Sequence, residues 1–233
     1  MQQPSHSTTS TVFLVDVDNT LLDNDRIQDD IRDHLEREYG AAARDRYWTI
    51  QEELFEQLGY RDYLGALQRY RVEHPYDVHL PFMSSYLMDY PFAERLYPGA
   101  LDVLDRMNKW GRAVILSDGD VVFQPRKVER SGIARAVENH VLIYLHKEEA
   151  LADVERRYPA RRYVLVDDKP RILSAVKRVW GQRVTTVFPR QGKFALDATV
   201  IASDPAPDVS VERIGDLLDY DLRALAASLE ART

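Results

Sequence analysis

The chain has 233 residues, 45% hydrophobic and 30% charged, a globular composition with room for one large domain or a core plus an insert. A net charge of −7 argues against a polyanion-binding surface, so no nucleic acid partner is expected. The absence of cysteine excludes disulfides, thiolate nucleophiles and cysteine-ligated metals. No run approaches the roughly 20 apolar residues of a membrane span. Residues 1–10 are polar with no apolar signal segment, so a disordered tail on a cytoplasmic protein, with no membrane partner, is expected.

The run Thr11-Val12-Phe13-Leu14-Val15 reads as a buried, parallel strand that ends in Asp16-Val17-Asp18-Asn19-Thr20. Alternation by two puts Asp16 and Asp18 on the same side at its end. Neighbouring carboxylates repel each other, so burying them calls for a divalent metal or a shared proton. Asn19 suits the tight turn because asparagine tolerates positive φ.

After Asp23 the pattern turns helical for about 70 residues. Ile27, Ile31 and Leu35 recur at i+4 and stop at Gly40; a second helix runs from Arg44 to Leu58 and a third from Asp62 to Glu73. A fourth spans His79 to Tyr90 with Pro81 in its first turn. This tyrosine-rich block interrupts the chain and reads as an inserted helical domain.

From Tyr97 onward strand and helix alternate. Strands are expected at 113–116, 141–145, 163–166, 184–188 and 199–202, with helices between them and a closing helix over 211–218. That order predicts a doubly wound, Rossmann-like α/β core with a parallel sheet covered on both faces. The strand ends then bring Asp16 and Asp18, Ser117 and Asp118, Lys147, and Asp167 with Asp168 to one rim. Ligands of open parallel sheets bind outside the carboxyl ends of the strands.

This set of motifs resembles the haloacid dehalogenase-like hydrolase superfamily, in its aspartate-nucleophile phosphatase branch. The match is carried by Asp16-Val17-Asp18-Asn19-Thr20, by Ser117 in Ile115-Leu116-Ser117-Asp118-Gly119 after Tyr97-Pro98-Gly99-Ala100, by Lys147, and by Val166-Asp167-Asp168. The resemblance implies a core of residues 11–23 and 96–233 with a helical cap over 24–95, which closes the site on hinges near Asn24 and Arg95. It implies Asp16 as nucleophile, Asp18 as general acid and then base, Lys147 with Ser117 and Asp118 at the phosphate, and Mg²⁺ held by Asp16, by Asp18 through its backbone carbonyl, and by Asp167 or Asp168. The expected activity is Mg²⁺-dependent hydrolysis of a small phosphorylated metabolite. A phosphotransferase or mutase using the same groups, or a non-catalytic phospholigand-binding protein, are the alternatives. A halide leaves without a proton and an alkoxide does not, so Asp18 argues against dehalogenation.

Other candidates read less sharply. Lys127 competes with Lys147 but lies within a helix soon after Ser117, and the adjacent Asp167 and Asp168 cannot be told apart. His34, His74, His79, His140 and His146 show no ligand-like spacing. Arg61, Arg69 and Arg71 could meet an acidic group of a substrate but are read as solvated helix faces. The basic loop Phe188-Pro189-Arg190-Gln191-Gly192-Lys193 is assigned to the rim.

Overall fold

The computed structural model describes residues 9–196 and 205–227. Six parallel strands form one sheet in the order β3-β2-β1-β4-β5-β6. They are β1 (Thr9–Val15), β2 (Arg112–Asp118), β3 (Val141–Tyr144), β4 (Ala160–Val166), β5 (Val184–Pro189) and β6 (Val209–Val211). The chain winds outward from β1 through β2 to β3, then crosses to β4 on the other side of β1. The strand order therefore reverses between β1 and β4, where a crevice opens at the carboxyl ends.

Both faces of the sheet are covered because its strands are apolar on both sides. Phe13 and Val15 of β1 join one layer with Val103, Leu104 and Met107 of α5 (Ala100–Trp110) and with Ile214 and Leu217. Val12 and Leu14 join the opposite layer with Ile172, Leu173 and Val176 of α9 (Pro170–Trp180), where Trp180 stacks on Tyr163 at 4.3 Å. Between these helices come α6 (Phe123–Arg130), α7 (Ile133–Ala136) and α8 (Leu151–Arg157); α10 (Gly192–Leu196) follows β5 and α11 (Leu222–Ala227) ends the described chain.

Between β1 and α5 stand four helices: α1 (Asn24–Tyr39), α2 (Ala41–Leu58), α3 (Tyr63–Glu73) and α4 (Leu80–Asp89). They surround their own apolar cluster of Ile27, Ile31, Tyr47, Ile50, Leu54, Tyr63, Ala66 and Leu87, among others. The two connections of this insert run side by side: Asp23 N–H donates to Arg95 O at 2.8 Å and Tyr97 N–H to Leu21 O at 2.9 Å. Asp30 of α1 braces the same junction by accepting from Arg95 Nε at 2.8 Å and from the Tyr90 hydroxyl. The insert's cluster is not closed on itself, because Phe123 of α6 enters it against Tyr63 at 4.6 Å and Phe92 at 5.5 Å.

Three expectations change. β1 begins at Thr9, inside the segment assigned to the tail, and pairs there with Ala160. Residues 211–218 do not form one helix: Val209–Val211 extends the sheet as β6 and Ile214–Leu218 makes a 3₁₀ turn. β-Branched Val209 and Val211, two apart, favour pairing with β5 over helix. The helix expected between the strands at 141–145 and 163–166 is preceded by a 3₁₀ turn, Lys147–Glu149, and α8 itself starts at Leu151. The strand assigned to 199–202 lies outside the described residues.

β6 is anchored through Asp208, whose carboxylate accepts from Lys177 Nζ at 2.7 Å and from Thr186 N–H and Oγ1 at 2.8 and 3.0 Å. Burial alone would raise this carboxyl, but Lys177 and Thr186 outweigh it and hold it below the usual carboxylate range. A carboxyl depressed in the fold stabilises above its unfolded value, and that contribution is lost as pH falls through the folded value. Asp208→Ala should cost about 1–3 kcal/mol near neutrality, and the gap from wild type should close below roughly pH 4. Urea unfolding of both proteins at neutral and acid pH checks this.

Candidate active site

Asp16 and Asp167 each continue the ladder one residue past the end of a strand. Asp16 N–H donates to Val166 O at 2.9 Å and Asp167 N–H to Val187 O at 3.1 Å. The sheet thus fixes their backbones at the switch point, and Asp168 follows directly. Asp16, Asp167 and Asp168 are all buried, with one carboxylate oxygen from each lying within 4.8 Å of the others.

Lys147 counters this charge. Its ammonium group, fully buried, lies 2.6 Å from Asp16 Oδ1 and 2.6 Å from Asp167 Oδ2, and donates to Leu116 O at 3.3 Å. Burial alone would lower its pKa, yet Asp16 and Asp167 hold it well above the ordinary lysine value. Asp118 Oδ1 accepts from Lys147 N–H at 2.7 Å, so this carboxyl orients the lysine-bearing turn. Burial pushes the Asp118 carboxyl up.

Asp168 differs from its neighbour. Asp167 Oδ1 accepts from Lys169 N–H at 2.9 Å and its Oδ2 meets Lys147, whereas neither Asp168 oxygen has a hydrogen-bond donor among the described residues although both are buried. Burial, aided by Asp167 and Asp16 against the pull of Lys169, drives the Asp168 carboxyl well above the usual range. A buried carboxylate left without donors loses its solvation uncompensated. Oxygen ligands of this kind suit a hard divalent cation, so the donor set fits Mg²⁺.

Asp18 stands apart from the cluster. Its Oδ1 accepts from Lys127 Nζ at 2.7 Å, and that lysine, 1% exposed, also donates to Asn24 Oδ1 at 3.0 Å. The two candidate lysines therefore divide the two aspartates between them: Lys147 takes Asp16 and Lys127 takes Asp18. Ser117 is buried beside them, where its Oγ accepts from Gln124 Nε2 at 2.9 Å.

The turn after Asp18 is tightly held. Asn19 has a φ of 57°, and its Oδ1 accepts from Asn24 N–H at 3.0 Å and Asp25 N–H at 3.2 Å. Thr20 Oγ1 accepts from Asp168 N–H at 3.1 Å, linking the first motif to the acid pair. Gln191 Nε2 donates to Asn19 O and Thr20 O at 3.3 and 3.1 Å, and a Cβ on Gly192 would come within 2.5 Å of Asn19 Cγ. The basic loop after β5 thus packs onto the motif turn.

A cavity of about 580 Å³ lies between insert and core. Asp18, Asp118, Asp168, Lys169 and Lys193 line it from the core side, and Phe55, Tyr60, Arg61 and Tyr63 from the insert. The insert touches the core here at Gly59, in the left-handed region at φ 78°, where a Cβ would sit 2.7 Å from the His146 imidazole.

A family profile described as haloacid dehalogenase-like hydrolase matches residues 11–188, three quarters of the chain, a span that includes Asp16, Asp18, Asp118, Lys127, Lys147, Asp167, Asp168 and Lys169. The chain belongs to this hydrolase family. A solved structure from Burkholderia xenovorans LB400, assigned to the haloacid dehalogenase-like hydrolases, is 59% identical with a TM-score of 0.88, over 93% of this chain and 98% of that one. The fold alone is shared with the L-2-haloacid dehalogenase of Xanthobacter autotrophicus, at 18% identity and a TM-score of 0.59 over 89% of this chain and 96% of that one. It is likewise shared with a magnesium-bound HAD hydrolase of Bacillus subtilis, at 14% identity and a TM-score of 0.59 over 90% and 97%. No curated protein matches the chain. No described helix is long and apolar enough to cross a membrane.

Of this hydrolase's buried polar rim residues, Gln124 carries no motif that sequence reasoning could use. Lys127 competes with Lys147 in the sequence, and its place within a helix soon after Ser117 does not disclose its reach to Asp18. The periodic signal available was that Phe123 and Lys127 stand four apart and so share one helix face. In the fold the Lys127 stem passes the Phe123 ring, Nζ lying 5.5 Å from its centroid. Lys147→Met should destabilise by about 3–5 kcal/mol, since removing one partner leaves buried charge unpaired. Chemical unfolding measures it, and a loss below 1 kcal/mol would show the cluster compensated from elsewhere.

Proposed function

We propose that this hydrolase cleaves a small phosphomonoester through a phosphoryl group carried on Asp16, with Mg²⁺ as cofactor. The observation that supports it best is the second carboxylate. Asp18 lies two residues beyond Asp16, lines the cavity and is engaged by Lys127 through only one of its oxygens among the described contacts. Displacement of an alkoxide needs a proton at the leaving oxygen, and a carboxylic acid in that place supplies it. Displacement of a halide needs none.

Asp16 attacks phosphorus through Oδ2 while Lys147 holds Oδ1. The P–O bond to the leaving group breaks as Asp18 gives up its proton to that oxygen. Asp18, now a carboxylate, takes a proton from water as the water attacks the phosphoryl group on Asp16, which frees inorganic phosphate and restores the starting state. Asp16 and Asp168 would hold the metal together with the backbone carbonyl of Asp18, while Asp167 is retained by Lys147. When bound, Mg²⁺ supplies charge that offsets the repulsion between Asp16 and an incoming phosphate dianion. Ser117 and Lys147 contribute donors to the phosphoryl oxygens. The insert closes on its paired connections and excludes bulk water from the acyl phosphate.

The assay is release of inorganic phosphate from an aryl phosphate by purified protein, with Mg²⁺ and with chelator, alongside halide release from a 2-haloacid. Phosphate released only with Mg²⁺, and no halide, is the expected result. Halide without phosphate would replace this function by dehalogenation. Asp16→Asn should abolish turnover with a thermal midpoint close to wild type; retained turnover would remove Asp16 from the nucleophile role.

A further inference from the structure

The wall of the cavity that faces the catalytic rim contains two polar groups left unpaired by the described residues. Arg61 Nη1 is buried with no hydrogen-bond partner among them, and so is the hydroxyl of Tyr63, a residue only 3% exposed. Both residues line the cavity, at the turn from α2 into α3. The other terminal nitrogen of Arg61, Nη2, donates to Glu52 Oε1 at 2.9 Å, and its guanidinium carbon lies 5.3 Å from the Phe55 ring centroid. Arg61 is therefore braced on two sides and keeps Nη1 unused. Arg69 instead donates to Gln57 on the exposed surface.

This turn is built rather than loose. Fully buried Gln51 donates from Nε2 to Asp62 O at 3.1 Å and to the Tyr47 hydroxyl at 3.2 Å, and Tyr47 donates in turn to Tyr63 O at 2.9 Å. Asp62 caps α3 by accepting from Gly65 N–H at 2.7 Å. The backbone that follows Arg61 is thus held by the insert's own core. Burial, with the charge of Asp18 adding to it, pushes the Tyr63 phenol up, so it remains a neutral donor.

We propose that Arg61 and Tyr63 form a carboxylate subsite, so that the substrate is a phosphomonoester whose alcohol part also carries a carboxylate. Leaving a buried donor unpaired is unfavourable, and two such donors on one wall match the two oxygens of a carboxylate. Glu52 already offsets one unit of positive charge, which favours a monoanion over a second phosphate dianion. The cavity of about 580 Å³ holds a small organic molecule with its phosphoryl end at Asp16 and its carboxylate at the insert.

This substrate class rests on the phosphatase function proposed above, and the experiment separates the two. The probes are phosphate esters of ω-hydroxy acids of increasing chain length, each paired with its neutral carboxamide. For the best length, wild-type kcat/KM should favour the acid by about ten- to hundredfold, the worth of a charge-assisted hydrogen bond. Arg61→Met should bring that ratio close to one, and Tyr63→Phe, which keeps the ring, should lower it in part. Turnover with no preference for the acid at any length, or a preference that survives Arg61→Met, overturns the subsite and leaves the phosphatase standing. Should no ester be turned over, calorimetric titration of the unphosphorylated hydroxy acids into wild type and Arg61→Met decides. Weaker binding to the variant supports the subsite, and equal binding or none overturns it.

Discussion

The ammonium group of Lys147 is the contact on which the site depends. Asp16 and Asp167 end neighbouring strands of one sheet, and the hydrogen-bond ladder leaves neither free to retreat into solvent. With Asp168 beside them, three carboxylates share a buried space whose low dielectric magnifies their repulsion. One lysine, entering from the turn after β3 and 2.6 Å from two of the three, makes that arrangement tenable. The third carboxylate, Asp168, has no donor among the described residues.

The sheet explains why these groups meet at all. A doubly wound order with β1 and β4 at its centre places the first motif and the acid pair next to each other, although Thr20 and Asp168, which are hydrogen-bonded, lie 148 positions apart along the chain. Ser117 at the end of β2 and the turn after β3 that carries Lys147 lie on the same side of β1, and Asp118 ties the two by accepting the Lys147 amide. From the other side, Gln191 clasps the carbonyls of Asn19 and Thr20. The rim is held by backbone ladders and buried polar contacts, which suits a site that must meet a reacting atom without reorganising.

Much of this was legible because parallel strands announce themselves as continuous apolar runs and their last residues are where chemistry collects. Asn19 could be assigned positive φ from its type alone. The pairing of Asp167 with Lys147, and the isolation of Asp168, could not, because adjacent residues at a strand end follow no alternation rule. Lys127 was undervalued for a related reason: a lysine's four-carbon stem lets a helix residue act well away from its backbone, and Asp18 lies 109 residues earlier. Arg61 looked like an ordinary solvated arginine; only the packing of α2 against α3 turns it toward the cavity. The helix expected over 211–218 failed because so short an apolar run fits a 3.6-residue period and an edge strand equally well.

The insert adds what the core lacks. Its own aromatic cluster holds the α2–α3 turn over the rim, and Phe123 of the core completes that cluster, so the two parts share one packed surface. In the proposed function the core supplies the reaction and the insert the choice of substrate. The central claim is that Asp16 carries the phosphoryl group. Rapid acid quench of the protein with an aryl phosphate and Mg²⁺, borohydride reduction, digestion and mass spectrometry test it most directly. The expected result is reductive conversion of Asp16 to homoserine, absent when substrate is omitted; an unmodified Asp16 peptide during steady turnover would contradict it.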